Sequence, residues 1–397
     1  MLPTHYPFEN MTNYRSIIQQ HTNADSVVMP GDFELKGKKP KNDNQPRQGQ
    51  RQGQGRGNDQ VRDPLYDPQY WLENDEFTNK PIYPGEDLFW DELRNVIQVQ
   101  LKRRNGEDPA SINRWPDQWA DKDLEDIASA VSGEYPAFHQ QTFIESMFRK
   151  GIELYDGIDP FRSHVDFVGK QVRIADINTW AFHAVAAVNF MLKWHVGMPR
   201  PEEMAWLIAS RKLTTADDGV PQDIVSDIES MNLQNAHDFT AYNNGCPTHP
   251  SWPAMHSAGS TVSYWLPVIA QVTGEDYCEA LRVDYAVSYG RTVAGVHYQQ
   301  DNLAGLNIGQ RLIRKQLPKF LESKYGYNAE IIKAKLDALS FGWETFDPVS
   351  CQIDGVSASV FLTNAIASVP QMSSEMGMET KSAKSTKKSK KEKQRNK

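Results

Sequence analysis

Three separated stretches of the chain carry side chains whose types and spacing could bind a tetrahedral oxyanion. They are KWHVGMPRP with Lys193 and Arg200, PSWPAMHSAGS with His256, and GRTVAGVHYQQD with Arg291, His297 and Asp301. A lysine supplies a movable point charge and each arginine a planar fork that grips two oxygens, so three such cations can neutralise a doubly or triply charged anion. The two histidines remain available for chemistry.

His297 and Asp301 are four residues apart, a spacing that predicts one shared helix face. The carboxylate can then accept the proton of one ring nitrogen, which fixes the tautomer and leaves the other nitrogen free. Gly305 and Gly309 continue the same four-residue step. We therefore expect another helix to approach this face closely.

The ordered pattern K-x(6)-R-P, P-S-G-H and S-R-x(5)-H-x(3)-D resembles the superfamily that unites vanadium-dependent haloperoxidases with type 2 phosphatidic acid phosphatases and bacterial acid phosphatases. The chain keeps the spacing throughout, and the similarity covers roughly residues 130 to 320. The longer text PTHPSWPAMHSA looks most like the algal bromoperoxidases. The resemblance implies a helical bundle of the haloperoxidase and acid phosphatase type with vanadate as its cofactor.

The resemblance also implies a role for each motif residue. The anion would be bound by Lys193, Arg200, Ala254, Met255, His256, Arg291 and His297, with vanadium on His297. His256 would take a proton from hydrogen peroxide, Lys193 would polarise the peroxide for attack by halide, and Asp301 would orient the His297 ring. In a phosphatase, His297 would instead attack phosphorus and His256 would protonate the leaving alcohol.

The chain departs from the family pattern at Ala254, where Ser is usual, at Met255, where Gly is usual, and at Gly290, where many members have Ser. Pro253 predicts a helix start whose backbone N–H groups can still bind an anion. One lost hydrogen bond to a charged oxygen costs about 1.5 to 3 kcal/mol, so we expect weaker anion binding rather than none. Thioethers are oxidised by peroxide, so peroxide chemistry requires that the Met255 side chain be shielded.

The sequence also indicates the roles of three other histidines. His249 matches a position where algal bromoperoxidases carry His and fungal chloroperoxidases carry an aromatic residue. The resemblance therefore favours bromide or iodide as the halide, with His249 among the catalytic residues. His183 and His195 are expected to be packing or surface residues.

Apolar residues recur at three- and four-residue steps in eight segments, which predicts amphipathic helices. The segments are 87–104, 142–157, 177–196, 201–213, 257–272, 278–295, 301–325 and 329–339. Because no series of strands separated by hairpin turns is evident, we predict one all-α domain over residues 63–370. The helix that ends near Gly197 should carry Lys193 in its last turn, with Arg200 in the connection that follows.

Both ends of the chain are polar. Residues 1–62 are predicted to form an N-terminal arm and a disordered linker, since 36–62 is rich in Gln, Gly, Lys and Arg with almost no apolar residue. Residues 371–397 contain a Lys-rich run, which predicts a disordered, solvated tail. We expect no nucleic-acid partner, and we expect a homo-oligomer in which the arm packs on the body or on another subunit.

No membrane or secretory segment is expected. The start MLPTHYPFENMTNYRS lacks a basic region followed by an apolar one, and the apolar stretch 180–192 is too short to cross a bilayer. A cytoplasmic location is the default. Cys246, Cys278 and Cys351 are odd in number and lack metal-type spacing, so we expect small buried apolar residues rather than a disulfide framework.

The sequence therefore favours a vanadate-dependent haloperoxidase that oxidises bromide or iodide with hydrogen peroxide to hypohalous acid, which halogenates a small organic acceptor. Two alternatives remain open. One is an acid phosphatase that forms a phosphohistidine at His297. The other is a non-halogenating relative in which Ala254 and Met255 have disabled peroxide chemistry and the fold persists as an oxyanion-binding or assembly protein.

Overall fold

The computed structural model describes residues 64–106, 143–155 and 167–369, except positions 145, 148, 243 and 244. The arm and linker predicted for 1–62 and the tail predicted for 371–397 lie outside the described residues. Helices dominate the described part of the chain, so the predicted all-α class is confirmed. None of the described helices combines the length and apolar character that crossing a membrane requires.

The helices of the described residues are numbered in chain order. They are α1 (Pro68–Glu73), α2 (Asp87–Arg104), α3 (Phe167–Val196), α4 (Pro201–Ala209), α5 (Thr215–Asp218), α6 (Gln222–Ser230), α7 (Met255–Gly259), α8 (Val262–Ile269), α9 (Gly274–Val293), α10 (Gln299–Tyr325), α11 (Ala329–Ala338) and α12 (Ala358–Ser368). Short 3-10 turns lie at Pro64–Tyr66, Ala236–Phe239 and Trp343–Thr345.

The strands of the described residues are each two residues long. β1 (Glu153–Leu154) pairs antiparallel with β2 (Ala270–Gln271), and β3 (Phe346–Asp347), β4 (Gln352–Ile353) and β5 (Val356–Ser357) form an antiparallel sheet in that order. Such short strands tie loops to the bundle and do not form a layer of their own.

Capping residues in the sequence set where several helices begin and end. The Thr273 hydroxyl accepts the N–H of Asp276 at the start of α9, and the Asn328 side chain accepts two N–H groups at the start of α11. These contacts satisfy helix N–H groups that have no partner within the helix. Gly326 ends α10 and Gly197 follows α3, and both have positive φ, which glycine adopts without strain.

Two segments predicted as single helices are interrupted. Ser260 Oγ donates to the His256 carbonyl at 2.8 Å, and this bond competes with helix continuation, so 257–272 divides into α7, α8 and β2. The helical run that includes Phe143 stops at Gly151, which has φ +77, and Leu154 then pairs with Ala270. The prediction of one helix over 142–157 was therefore wrong at its end.

The long helix α10 packs against α3, α7 and α9, which carry or adjoin the three motifs. Gly305 and Gly309 permit the close approach to α7, as predicted. A Cβ atom on Gly305 would lie 2.4 Å from the Ala254 carbonyl oxygen, and one on Gly309 would lie 2.3 Å from the Ala258 carbonyl oxygen. Because backbone atoms cannot withdraw as a flexible side chain can, these positions fix the distance between α10 and the helix that bears His256.

We expect Gly305→Ala to lower the free energy of unfolding by about 1 to 3 kcal/mol, because a methyl group there overpacks a filled contact. Urea denaturation measures this change. Lys319→Ala, at an exposed position of the same helix, is the matched control and should change stability by less than about 0.5 kcal/mol. Equal stability of the two variants would contradict the close packing of α7 on α10.

The expectation of small buried cysteines rather than a disulfide framework was wrong for Cys278 and Cys351. Cys278 of α9 and Cys351, in the turn between β3 and β4, form a disulfide, and Cys246 is free and buried. Pairing across 73 positions of sequence depends on the folded topology, which cysteine spacing does not reveal. Closing such a loop stabilises the fold by about 4 kcal/mol in the chain-entropy account. Disulfides persist in oxidising compartments, which weighs against the cytoplasmic default.

Candidate functional site

Lys193 lies in the last turn of α3, as predicted, and its side chain is fully buried. Its Nζ donates to the carbonyl oxygens of Pro250 at 2.8 Å and Ser251 at 2.7 Å. These two residues belong to the loop that precedes α7. The lysine therefore joins the first motif directly to the second.

Arg200 is the residue that precedes the first turn of α4, and it is buried. Its Nε donates to the His249 carbonyl at 2.9 Å and its Nη1 to the Val296 carbonyl at 2.7 Å. Nη1 also lies 3.3 Å from His297 Nε2, and Nη2 lies 3.1 Å from His249 Nδ1. One guanidinium thus contacts the imidazole of the third motif and that of His249, which directly precedes the second motif.

The prediction that His297 and Asp301 share a helix was wrong, although their contact forms. Helix α10 begins at Gln299, so His297 precedes it and Asp301 lies in its first turn. Asp301 Oδ2 accepts the N–H of Tyr298 at 3.1 Å, which caps the helix, and lies 3.1 Å from His297 Nδ1. The ring folds back onto the helix start because the same carboxylate oxygen serves both groups.

Ser251 is part of the site although the sequence did not single it out. Its hydroxyl donates to Asp301 Oδ2 at 2.5 Å and lies 3.2 Å from His297 Nδ1. The signal that could have found it is a serine in the proline- and tryptophan-rich text just before Pro253.

The middle motif differs from its prediction at the backbone. Helix α7 begins at Met255 rather than Pro253, and the Ala254 N–H donates to the Asp301 carbonyl at 2.9 Å. That N–H is therefore committed to α10, and the expectation that it faces the anion was wrong. Met255 is buried in the hydrophobic core, as shielding from oxidation requires. His256 is half-buried.

Arg291 lies in the last turn of α9 and is buried. Its Nη1 donates to the Tyr242 hydroxyl at 2.5 Å and its Nε to the Val287 carbonyl at 3.2 Å. Its own carbonyl accepts the N–H of His297 at 3.3 Å. Arg291 thus supports the turn that carries His297, and Tyr242 is a neighbour that the sequence did not single out. His183 and His195 are exposed, as predicted.

Burial lowers the pKa of His297 well below its usual range, and the nearby Arg200 and Lys193 charges, then His249 and His256, lower it further. Burial, followed by the Lys193 and Arg200 charges, likewise lowers the pKa of His249. Both rings are therefore neutral at neutral pH. A neutral imidazole keeps one lone pair, which can bond to a metal or attack phosphorus.

The site holds positive charge that burial makes costly. Burial and then the Arg200 charge lower the pKa of Lys193 well below its usual range, while Asp301 opposes this effect. Burial raises the pKa of Asp301 to about 6, against the Ser251 hydrogen bond and the Lys193 charge. Burial also raises the pKa of Glu203, near Arg200, well above its usual range. An oxyanion here would stabilise the ammonium and the guanidinium together.

The donor set fits an oxyanion, provided that Arg200 moves. Its Nη1 covers Nε2 of His297, the nitrogen that would bond to the central atom, so the fork must leave the ring and bind the anion oxygens instead. Within the described residues no group of three or more His, Cys, Asp or Glu side chains is suited to a metal ion. A vanadate site requires a single imidazole together with cationic donors, and this cluster provides both.

A cleft of about 960 Å³ lies elsewhere on the described surface. Lys150, Asp276 and Arg282 line it together with the Cys278–Cys351 disulfide. None of the motif residues borders this cleft, so it is separate from the cationic cluster.

Glu92 of α2 supports the helix that carries Asp301. Its Oε2 accepts the Gln300 N–H at 3.1 Å, and burial raises its pKa to about 7. The native state therefore keeps a proton that the unfolded chain, with a pKa near 4.5, has released. Stability contributed in this way is present at low pH and is lost as pH rises from about 4.5 to about 7.

We expect the free energy of unfolding of Glu92→Gln to lack this pH dependence. The difference between the native and unfolded pKa values corresponds to about 3 kcal/mol. The variant and the parent should be similarly stable near pH 5, whereas the variant should be the more stable near pH 8. Urea denaturation at the two pH values measures the effect. Glu322→Gln, at an exposed position of α10, is the control and should follow the parent. A stability profile of Glu92→Gln that runs parallel to that of the parent over this pH range would contradict the raised pKa.

Comparison with protein-family models, with curated proteins and with solved structures found no match to this chain. Evidence for a function therefore comes from the residues of the site and their geometry.

Proposed function

We propose that this protein is a vanadate-dependent haloperoxidase, with a helical bundle of the haloperoxidase and acid phosphatase type. It would oxidise bromide or iodide with hydrogen peroxide to hypohalous acid, which halogenates a small organic acceptor. The observation that carries the proposal is that the Arg200 guanidinium contacts both His297 and His249, close to the buried Lys193. The first and third motifs supply Lys193, Arg200 and His297, and His249 directly precedes the second motif.

Some residues of the site would bind the anion, and others orient the residues that bind it. Lys193 and Arg200 would bind the vanadate oxygens, and Nε2 of His297 would bind its central atom. Asp301 holds the opposite ring nitrogen, and Arg291 supports the turn that carries His297. Bound vanadate would supply the activation of hydrogen peroxide toward attack by halide.

His256 is the acid–base group of the proposal. It is half-buried, and its charge affects the pKa values of both His249 and His297, so the three rings occupy one region. Because it would not bond to the central atom of the anion, its ring would accept a proton from hydrogen peroxide and release it to water. His249, packed edge-on against Phe190 at 5.3 Å between ring centroids, would line the halide side.

The same geometry supports an acid phosphatase as the second candidate. A neutral His297 with Nδ1 held by Asp301 could form a bond from Nε2 to phosphorus while the ester oxygen leaves with a proton from His256. Water would then cleave the nitrogen–phosphorus bond. The buried Lys193 and Arg200 would stabilise the transferring phosphoryl group in the same way as vanadate.

Two assays on one preparation test the proposal. After incubation with vanadate and removal of excess, the protein should retain vanadium and brominate monochlorodimedone with hydrogen peroxide and bromide. Cleavage of phosphate esters without turnover of bromide or iodide would reverse the order of the two candidates. Vanadium retention with neither activity would identify the non-halogenating relative.

A further inference from the structure

Ser251 contacts three parts of the site at once. Its hydroxyl donates to Asp301 Oδ2 at 2.5 Å and lies 3.2 Å from His297 Nδ1. Its carbonyl accepts Lys193 Nζ at 2.7 Å, and its N–H donates to the Met198 carbonyl at 2.9 Å. The residue has no exposed surface, so solvent cannot replace these partners.

The hydroxyl is one of three groups that fix which nitrogen of His297 carries the proton. A serine hydroxyl has one proton and two lone pairs. Since the proton points to Asp301 Oδ2, a lone pair faces Nδ1 of His297, and Oδ2 itself lies 3.1 Å from that nitrogen. Both groups that contact Nδ1, the Ser251 hydroxyl and Asp301 Oδ2, therefore present acceptors. Nδ1 must then carry the ring proton.

The other side of the ring requires the same tautomer. Arg200 has only donors, and its Nη1 lies 3.3 Å from Nε2 of His297. Nε2 must therefore carry the lone pair. The tautomer thus follows from hydrogen-bond partners at both nitrogens.

We propose that Ser251 is a positioning residue that, together with Asp301, holds His297 in the Nδ1–H tautomer and so aims the Nε2 lone pair at an incoming oxyanion. Its hydroxyl also holds the Asp301 carboxylate in place. Without the hydroxyl, one charge-assisted hydrogen bond to Asp301 and one of the two acceptors at Nδ1 are lost. Oxyanion affinity should then fall about ten- to a hundredfold. This consequence rests on the proposed function, whereas the tautomer does not.

Ser251→Ala tests the inference, with Ser288→Ala as the matched control. Ser288 is also buried, and its hydroxyl contacts Ser257 Oγ at 2.7 Å. Nitrogen NMR of protein labelled at histidine, near pH 8 where the imidazole is neutral, reports the tautomer, and His297→Gln assigns the signal. We expect only the Nδ1–H form of His297 in the parent and in Ser288→Ala. In Ser251→Ala, where Asp301 and Arg200 alone hold the ring, we expect a measurable minor fraction of the Nε2–H form beside it.

Calorimetric titration with inorganic vanadate and with inorganic phosphate gives the second readout. Ser251→Ala should bind both anions more weakly by the factor above, Ser288→Ala should match the parent, and Ser251→Thr, which keeps a hydroxyl, should recover the parent tautomer. An unchanged tautomer and affinity in Ser251→Ala would overturn the proposal. If that variant does not fold, a mixed tautomer in a folded Ser251→Thr overturns it instead. A parent that binds neither anion refutes the proposed function, and the NMR result still decides the role of Ser251.

Discussion

His297→Ala should abolish the retention of vanadate, because it removes the nitrogen that would bond to the central atom. Lys193 and Arg200 would remain and could still attract an anion, but an anion held by charge alone exchanges rapidly with solvent. After incubation with vanadate and gel filtration, the parent should contain stoichiometric vanadium and the variant almost none. Elemental analysis of the eluted protein measures the difference.

His183→Ala is the matched control for the loss of an imidazole. His183 is exposed on α3, so its removal should leave both vanadium content and thermal stability unchanged. Equal vanadium content in His297→Ala and the parent would refute the assignment of His297 as the vanadium ligand. Retention by the control and loss in His297→Ala would show that the imidazole at this position, and not histidine content, holds the anion.

Several elements could be predicted from the sequence because their causes are local. Helix α2 has its predicted bounds, with Asp87 in its first turn and three basic residues in its last, where each charge favours the helix dipole. The end of α3 was also predicted correctly, since Gly197 and Pro199 cannot continue a helix. Hence Lys193 and Arg200 were placed correctly along the chain before any contact was known.

Other features depend on contacts between distant segments and could not be predicted. Asp301 Oδ2 accepts the N–H of Tyr298 at the start of α10 and also contacts the His297 ring, so the contact forms without a helix that runs from His297 to Asp301. Arg200 lies over the ring because the carbonyls of His249 and Val296 hold it there. No periodicity in a sequence encodes such side-chain directions.

The two histidines of the motifs differ in role, since one would hold the anion and the other would transfer a proton. His297 is buried among fixed partners, Asp301 and Ser251 on one nitrogen and Arg200 on the other. His256 is half-buried at the start of α7, where solvent can exchange protons with its ring. A ligand benefits from the first environment and an acid–base group from the second.

His256→Ala should therefore retain vanadate but lower the rate of bromide oxidation by about 10²- to 10⁴-fold, the range attributed to a positioned acid–base group. Vanadium content and monochlorodimedone bromination, measured on the same sample, separate the two effects. His195→Ala, at an exposed position of α3, is the control and should keep both. Loss of vanadium as complete as in His297→Ala would make His256 a second ligand, and turnover at the parent rate would exclude it from proton transfer. A slow variant with full vanadium is the result that an acid–base role predicts, because the anion site is then intact and the proton acceptor is missing.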